Sequence, residues 1–156
     1  MKFAEFPVRF AAGVILAHSL RVGSYSLKKG TVLNEGHIIE LKSLNIITVT
    51  GVRLEPGDLD ENDAAVRIAE ASAGSHTTIS NARTGRCNIL AEARGISVID
   101  ADAIDNLNLV DETVTLATIL PYTPVDIGDI VATAKIITFG ASNKSIVACE
   151  NTSRNG

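Results

Sequence analysis

An α+β fold is what these 156 residues predict. Segments rich in Ile, Val and Thr alternate with short helical patterns in the first half, the second half is richer in strands, and no repeat of fixed period appears. The length suits one compact domain whose core buries roughly two thirds of the unfolded chain's surface. Hydrophobic residues make up 46% of the chain but aromatics only 4%, with no Trp, so the core is expected to be aliphatic.

The elements follow in order. Val8 to Leu20 is β-rich with Gly13 inside it, which reads as one or two extended segments kinked at the glycine. Residues 23–30 turn, and Thr31 to Leu33 is a short strand. Asn34 is an N-cap for a helix from Glu35 to about Leu44, with Ile38, Ile39 and Leu41 facing inward. Ile46 to Leu54 is a strand. After the turn Glu55-Pro56-Gly57-Asp58, Asp60 and Asp63 form an acidic version of a capping box. They introduce a helix from Glu61 to about Ala73, whose Ala64, Ala65, Ile68, Ala69 and Ser72 share a face and whose small side chains allow close approach to a sheet.

Thr77 to Asn81 is β-prone and Thr84-Gly85-Arg86 is a turn. Cys87 to Arg94 is read as a helix ended by Gly95. Ile96 to Ile99 is extended, Asp100 caps a helix through Leu107, and Thr113 to Thr118 is a strand broken by Pro121-Tyr122-Thr123-Pro124. A Gly128-Asp129 turn precedes the strand Ile130 to Phe139. Residues 1–139 are thus expected to form the module, and 140–156 a polar tail with a disordered end, the start of a linker.

Composition narrows the function classes. A net charge of −4 with scattered Lys and Arg argues against nucleic acid as a partner, because phosphate neutralisation needs clustered cations. No stretch approaches the ~18 apolar residues of a membrane span, and the start Met1 to Pro7 has Glu5 and Pro7 where a signal peptide needs an unbroken apolar core. The expectation is a cytoplasmic protein with reduced thiols and no membrane partner. Cys87 and Cys149 have no CxxC or Cys/His spacing, so no zinc site is expected.

Two clusters carry chemistry. His18, Ser19 and Arg21, followed by Lys28 and Lys29, offer a hydroxyl and several cations to a phosphate, or else form a solvated basic turn. Thr84, Gly85, Arg86 and Asn88 combine a flexible backbone, side-chain hydrogen bonds and a guanidinium. A helix starting near Cys87 would add free N–H groups at the same spot, the alternative being a helix-entry turn capped by Thr84. Neither a Walker-A nor a GxGxxG pattern occurs. Cys87 as a nucleophile beside Arg86 competes with a buried inert thiol. A metal set drawn from His18, His37, His76, Asp58 and Glu61 matches no ligand spacing, so no metal is expected.

Five ordered blocks add a family resemblance. They are Ala12 to Leu20, Leu27 to Leu33, Arg53 to Asp58 with Glu61 and Ala64-Ala65, Thr84 to Ile89, and Val131 to Ile137. In this order the chain resembles the N-terminal module of bacterial molybdopterin-binding proteins, which often precedes a molybdopterin-binding domain and a molybdenum-cofactor nucleotidyltransferase domain. Of these blocks, Lys-Lys-Gly-Thr-Val-Leu also occurs in the larger molybdenum-insertion proteins. The resemblance implies a module that binds or positions molybdopterin, or its nucleotide form, as cofactor. The implied binding residues are His18, Ser19, Arg21, Lys28, Lys29, Thr84, Gly85, Arg86 and Asn88.

It also implies that downstream domains of a longer parent chain are partners, and that any catalysis, such as nucleotidyl transfer, resides there rather than here. The alternative is a structural or assembly module whose blocks preserve interdomain or subunit contacts, homo-oligomeric ones included.

Overall fold

A computed structural model of the chain describes residues 1–154 and shows an α+β protein of four helices and short, antiparallel strands. Packing separates a first unit, Met1–Pro56, from a second that begins at Gly57. The single module expected over 1–139 therefore divides at the Glu-Pro-Gly-Asp turn, where Gly57 takes the left-handed φ of 93° that favours glycine.

In the first unit, β1 (Lys2–Pro7) leads through a 3-10 turn (Val8–Phe10) to β2 (Ile15–Leu16). The hairpin strands β3 (Leu20–Val22) and β4 (Tyr25–Leu27) follow, then α1 (Glu35–Ser43) and β5 (Thr48–Arg53). The order β1-β5-β2 puts β5 in the middle, antiparallel to both neighbours. Gly51 lies at the crossing, opposite Ala4 on one side and Leu16 on the other. A Cβ there would stand 2.5 Å from the Ile15 carbonyl oxygen, so only glycine lets β2 approach.

Helix α1 starts where the sequence places it: the Asn34 side chain accepts the His37 N–H, and His37 Nδ1 accepts the Asn34 N–H. Ile38 and Leu41 are buried, but Ile39, expected inward, is 70% exposed. It follows Ile38 by about 100° around the helix, away from the stripe that positions 38 and 41 share. The core is aliphatic apart from Phe6. Strand β1, which the sequence reading leaves unassigned, exists because β5 offers it six paired positions.

The second unit holds β6 (Asp58–Asp60), α2 (Glu61–Ser72), β7 (Thr77–Ile79), β8 (Arg86–Ala91), β9 (Gly95–Ile96) and α3 (Ala101–Asn108). It continues with β10 (Val114–Thr118), β11 (Pro124–Val125), β12 (Ile130–Ile136), β13 (Gly140–Ser142) and α4 (Asn143–Arg154). Its main sheet runs β10-β12-β8-β7, all antiparallel, with β13 pairing β6 and β11 pairing β9 outside it. As expected, Asp60 caps α2 by accepting the N–H groups of Asn62 and Asp63, and Ala64, Ala65, Ile68 and Ala69 are wholly buried against the sheet. Asp100 caps α3 through the Ala103 N–H.

Two expectations are corrected here. The helix read over Cys87 to Arg94 is strand β8, with Cys87, Ile89 and Ala91 buried and Arg86, Asn88 and Leu90 not. That is a period of two, and the turn before it sets the outcome. Thr84 and Gly85 have φ of 49° and 68°, and Arg83 and Arg86 exchange both backbone hydrogen bonds. Two left-handed residues in succession make a hairpin turn, which feeds a strand.

The supposed polar tail is strand β13 and helix α4. Its few apolar positions suffice because Ile146 and Cys149 fall on one face and are wholly buried against the α2 layer. The last residues of the expected disordered end, 155–156, lie outside the described residues. Among those described, no helix is long and apolar enough to cross a membrane.

Candidate functional site

The first cluster comes together in the first unit. Leu20 pairs with Leu27 and Arg21 with Ser26 across the β3–β4 hairpin. At its base the Lys29 N–H donates to Ser19 Oγ at 3.2 Å, and the Gly30 N–H donates to the Leu16 carbonyl at 2.8 Å. Gly30 takes a φ of 84° to allow this return. His18, Ser19, Arg21, Lys28 and Lys29 are all exposed, on the hairpin or at its base, while Val22 and Leu27 of the same hairpin are buried. Exposed cations and a hydroxyl on one hairpin are the groups that hold an oxyanion by charge-assisted hydrogen bonds.

The second cluster, in the second unit, is occupied with the fold. The Gly85 N–H donates to Asn62 Oδ1 at 2.9 Å, the Gly85 carbonyl accepts the Ile136 N–H at 2.8 Å, and Lys135 Nζ donates to the Thr84 carbonyl. Asn88 Oδ1 accepts the Thr133 hydroxyl at 2.9 Å across β8 and β12, and the Asn88 N–H donates to Ser80 Oγ. The Glu61 side chain lies against Gly85 and fills the space beside the turn. With a strand at Cys87, the helix N-terminus expected to draw an anion here does not form.

Cys87 is wholly buried, and its thiol donates to the Ser80 carbonyl at 3.2 Å. Burial raises its pKa, and it raises that of Cys149 to about 11. A nucleophilic Cys needs the opposite shift. His37 serves the α1 cap, and the described residues hold no group of three or more His, Cys, Asp or Glu that could bind a metal ion.

The second unit also has a cleft of about 790 Å³ between the C-terminal end of α2, the sheet and the segment leading into α3. Ile89, Leu116 and Ala132 form part of its floor, while His76 and Arg94 stand on its lining. None of the nine implied binding residues lines it, although His76, weighed above as a metal ligand, does. No local motif could have revealed it, because its walls come from segments spread between Ala71 and Ser153.

No protein-family model, curated protein or solved structure matches the chain.

Proposed function

We propose that the chain is a non-catalytic module that helps hold molybdopterin or its nucleotide form. The observation that carries this reading is the β3–β4 pairing, which brings Lys29 beside Ser19 and keeps His18, Arg21 and Lys28 exposed at the same hairpin. Two blocks of the resemblance, separate in sequence, thereby supply cations and a hydroxyl to one place. The ligand's terminal phosphate is the group these residues suit, and their exposure makes the interaction salt-sensitive.

Calorimetry with purified molybdopterin should give heat with the native protein and at least tenfold weaker binding with Lys28→Gln/Lys29→Gln. Absence of heat from the native protein, or equal binding by the double variant, overturns the assignment to this edge.

A structural or assembly module is the second reading, and the Thr84 to Asn88 block favours it. Its backbone and side chains hold α2, β8 and β12 together. On this reading Arg86→Gln leaves cofactor binding unchanged.

A further inference from the structure

We infer that the cleft of the second unit is a binding site for a compact, largely apolar small molecule carrying one acidic group. This site is separate from the basic hairpin edge and does not rest on the molybdopterin reading.

The first observation is size. A space of about 790 Å³ falls in the range of roughly 300–1,000 Å³ that small-molecule sites occupy. The second is a gradient of exposure along its apolar lining. Ile89 and Leu116 at the floor are 2% and 1% exposed, whereas Ile96 and Val98 on the β9 side are 63% and 83% exposed. Large aliphatic side chains left in water beside a cavity mark a surface that gains by being covered. The walls facing them are Ala71, Ala73 and Gly74 at the end of α2 and Ala103 on α3. These small residues keep the space open.

Charge fixes the remaining feature of the ligand. His76 and Arg94 line the cleft, and among the described residues Asp100 is the one carboxylate that does. Asp100 is engaged by the Ala103 N–H at 2.9 Å, as cap of α3. Arg94 pairs with Asp126 at 2.8 Å, but both side chains are mostly exposed, at 83% and 67%. A bond so open to water holds Arg94 only weakly, so the guanidinium is available to an incoming anion. An apolar body seated over Ile89 and Leu116 with its acidic group toward Arg94 and His76 satisfies both halves of the lining.

The probe is 8-anilinonaphthalene-1-sulfonate, which has an apolar aromatic body and one sulfonate. Titration of the native protein should show saturable fluorescence enhancement with one site per chain. Ala103→Leu fills the cleft with a good helix former, and binding should weaken at least tenfold. Arg94→Gln should weaken it three- to tenfold with the stoichiometry retained. Circular dichroism melts of each variant confirm that the fold is kept, and Ala71→Leu repeats the filling test from the other wall.

Enhancement that does not saturate, or that survives both filling variants, overturns the proposal. So does light scattering that shows a dimer whose formation excludes the probe, since the occupant would then be a second copy.

Discussion

Arg67 on α2 and Glu150 on α4 are joined by two parallel hydrogen bonds, Nε to Oε1 and Nη2 to Oε2, each 2.7 Å long. Arg67 Nη1 also donates to Asn143 Oδ1 at 2.6 Å, so one guanidinium ties the first residue of α4 to Glu150, about two turns further along. The side chains are 30% and 13% exposed, which shields the pair more than a surface bridge. Arg67→Met should therefore destabilise the second unit by about 1–3 kcal/mol, less than the loss of a fully buried pair. Arg67→Lys should recover little of this, because an ammonium cannot make the paired geometry. Urea unfolding of the two variants checks both statements. Equal stability of Lys and Arg at this position would show that charge alone matters.

The turn glycine Gly85 should tolerate no side chain. Its φ is 68°, and a Cβ would come within 2.9 Å of the Ile136 carbonyl oxygen and 3.1 Å of Glu61 Cβ. Gly128, with φ 90°, has nothing within 4 Å and provides the comparison. Replacing Gly128 by Ala should cost about 1 kcal/mol from the backbone conformation alone. Gly85→Ala should cost at least about 2 kcal/mol, because strain adds to it. Thermal melts compared pairwise would reject the argument if the two variants were equivalent.

Stability should fall at both ends of the pH range. At the alkaline end, burial raises Cys149 from 9.0 to about 11. The unfolded chain therefore loses this proton first, and stability declines as pH rises from 9 toward 11. Cys149→Ala should flatten that limb. At the acid end, burial acts to raise the pKa of Asp111, but hydrogen bonds from Ser145 and from the Thr113 hydroxyl and N–H outweigh it and hold the carboxyl below 3.8. The stability this lends is present above the unfolded value and is lost as pH falls through the folded one. Asp111→Asn should flatten the acid limb. Urea midpoints measured across pH test each variant against its own limb.

Neither thiol should react in the native state. Cys87 and Cys149 are both 0% exposed, and burial raises both pKa values. Ellman's reagent at pH 8 should titrate no thiol before unfolding and two after it. Rapid native labelling of Cys87 would revive the nucleophile reading.

Asn34 should be worth about 1 kcal/mol to the first unit, the usual cost of losing a side-chain cap. Asn34→Ala removes the acceptor for the His37 N–H, 2.9 Å away. Asn34→Asp should keep most of the stability, as a thermal melt of each variant would show.

How much was legible in advance depended on range. The caps at Asn34, Asp60 and Asp100, and the helices they begin, follow from hydrogen bonds between neighbours in sequence. The aliphatic core follows from composition, since a chain with so few aromatics can bury little else. These the amino-acid order determined.

Tertiary structure decided the rest. Cys87 to Ala91 fits a helix or a strand by content, and the left-handed Thr84-Gly85 pair together with an open place beside β12 made it a strand. Residues 143–154 look polar because only one narrow face is apolar, and α2 supplied the surface that buries it. The hairpin edge was half legible: its residues stood out by chemistry, but only the β3–β4 pairing put Lys29 beside Ser19. The cleft could not be read at all. Its walls meet through contacts between distant segments, whose formation depends on the summed burial of the whole unit rather than on any local pattern.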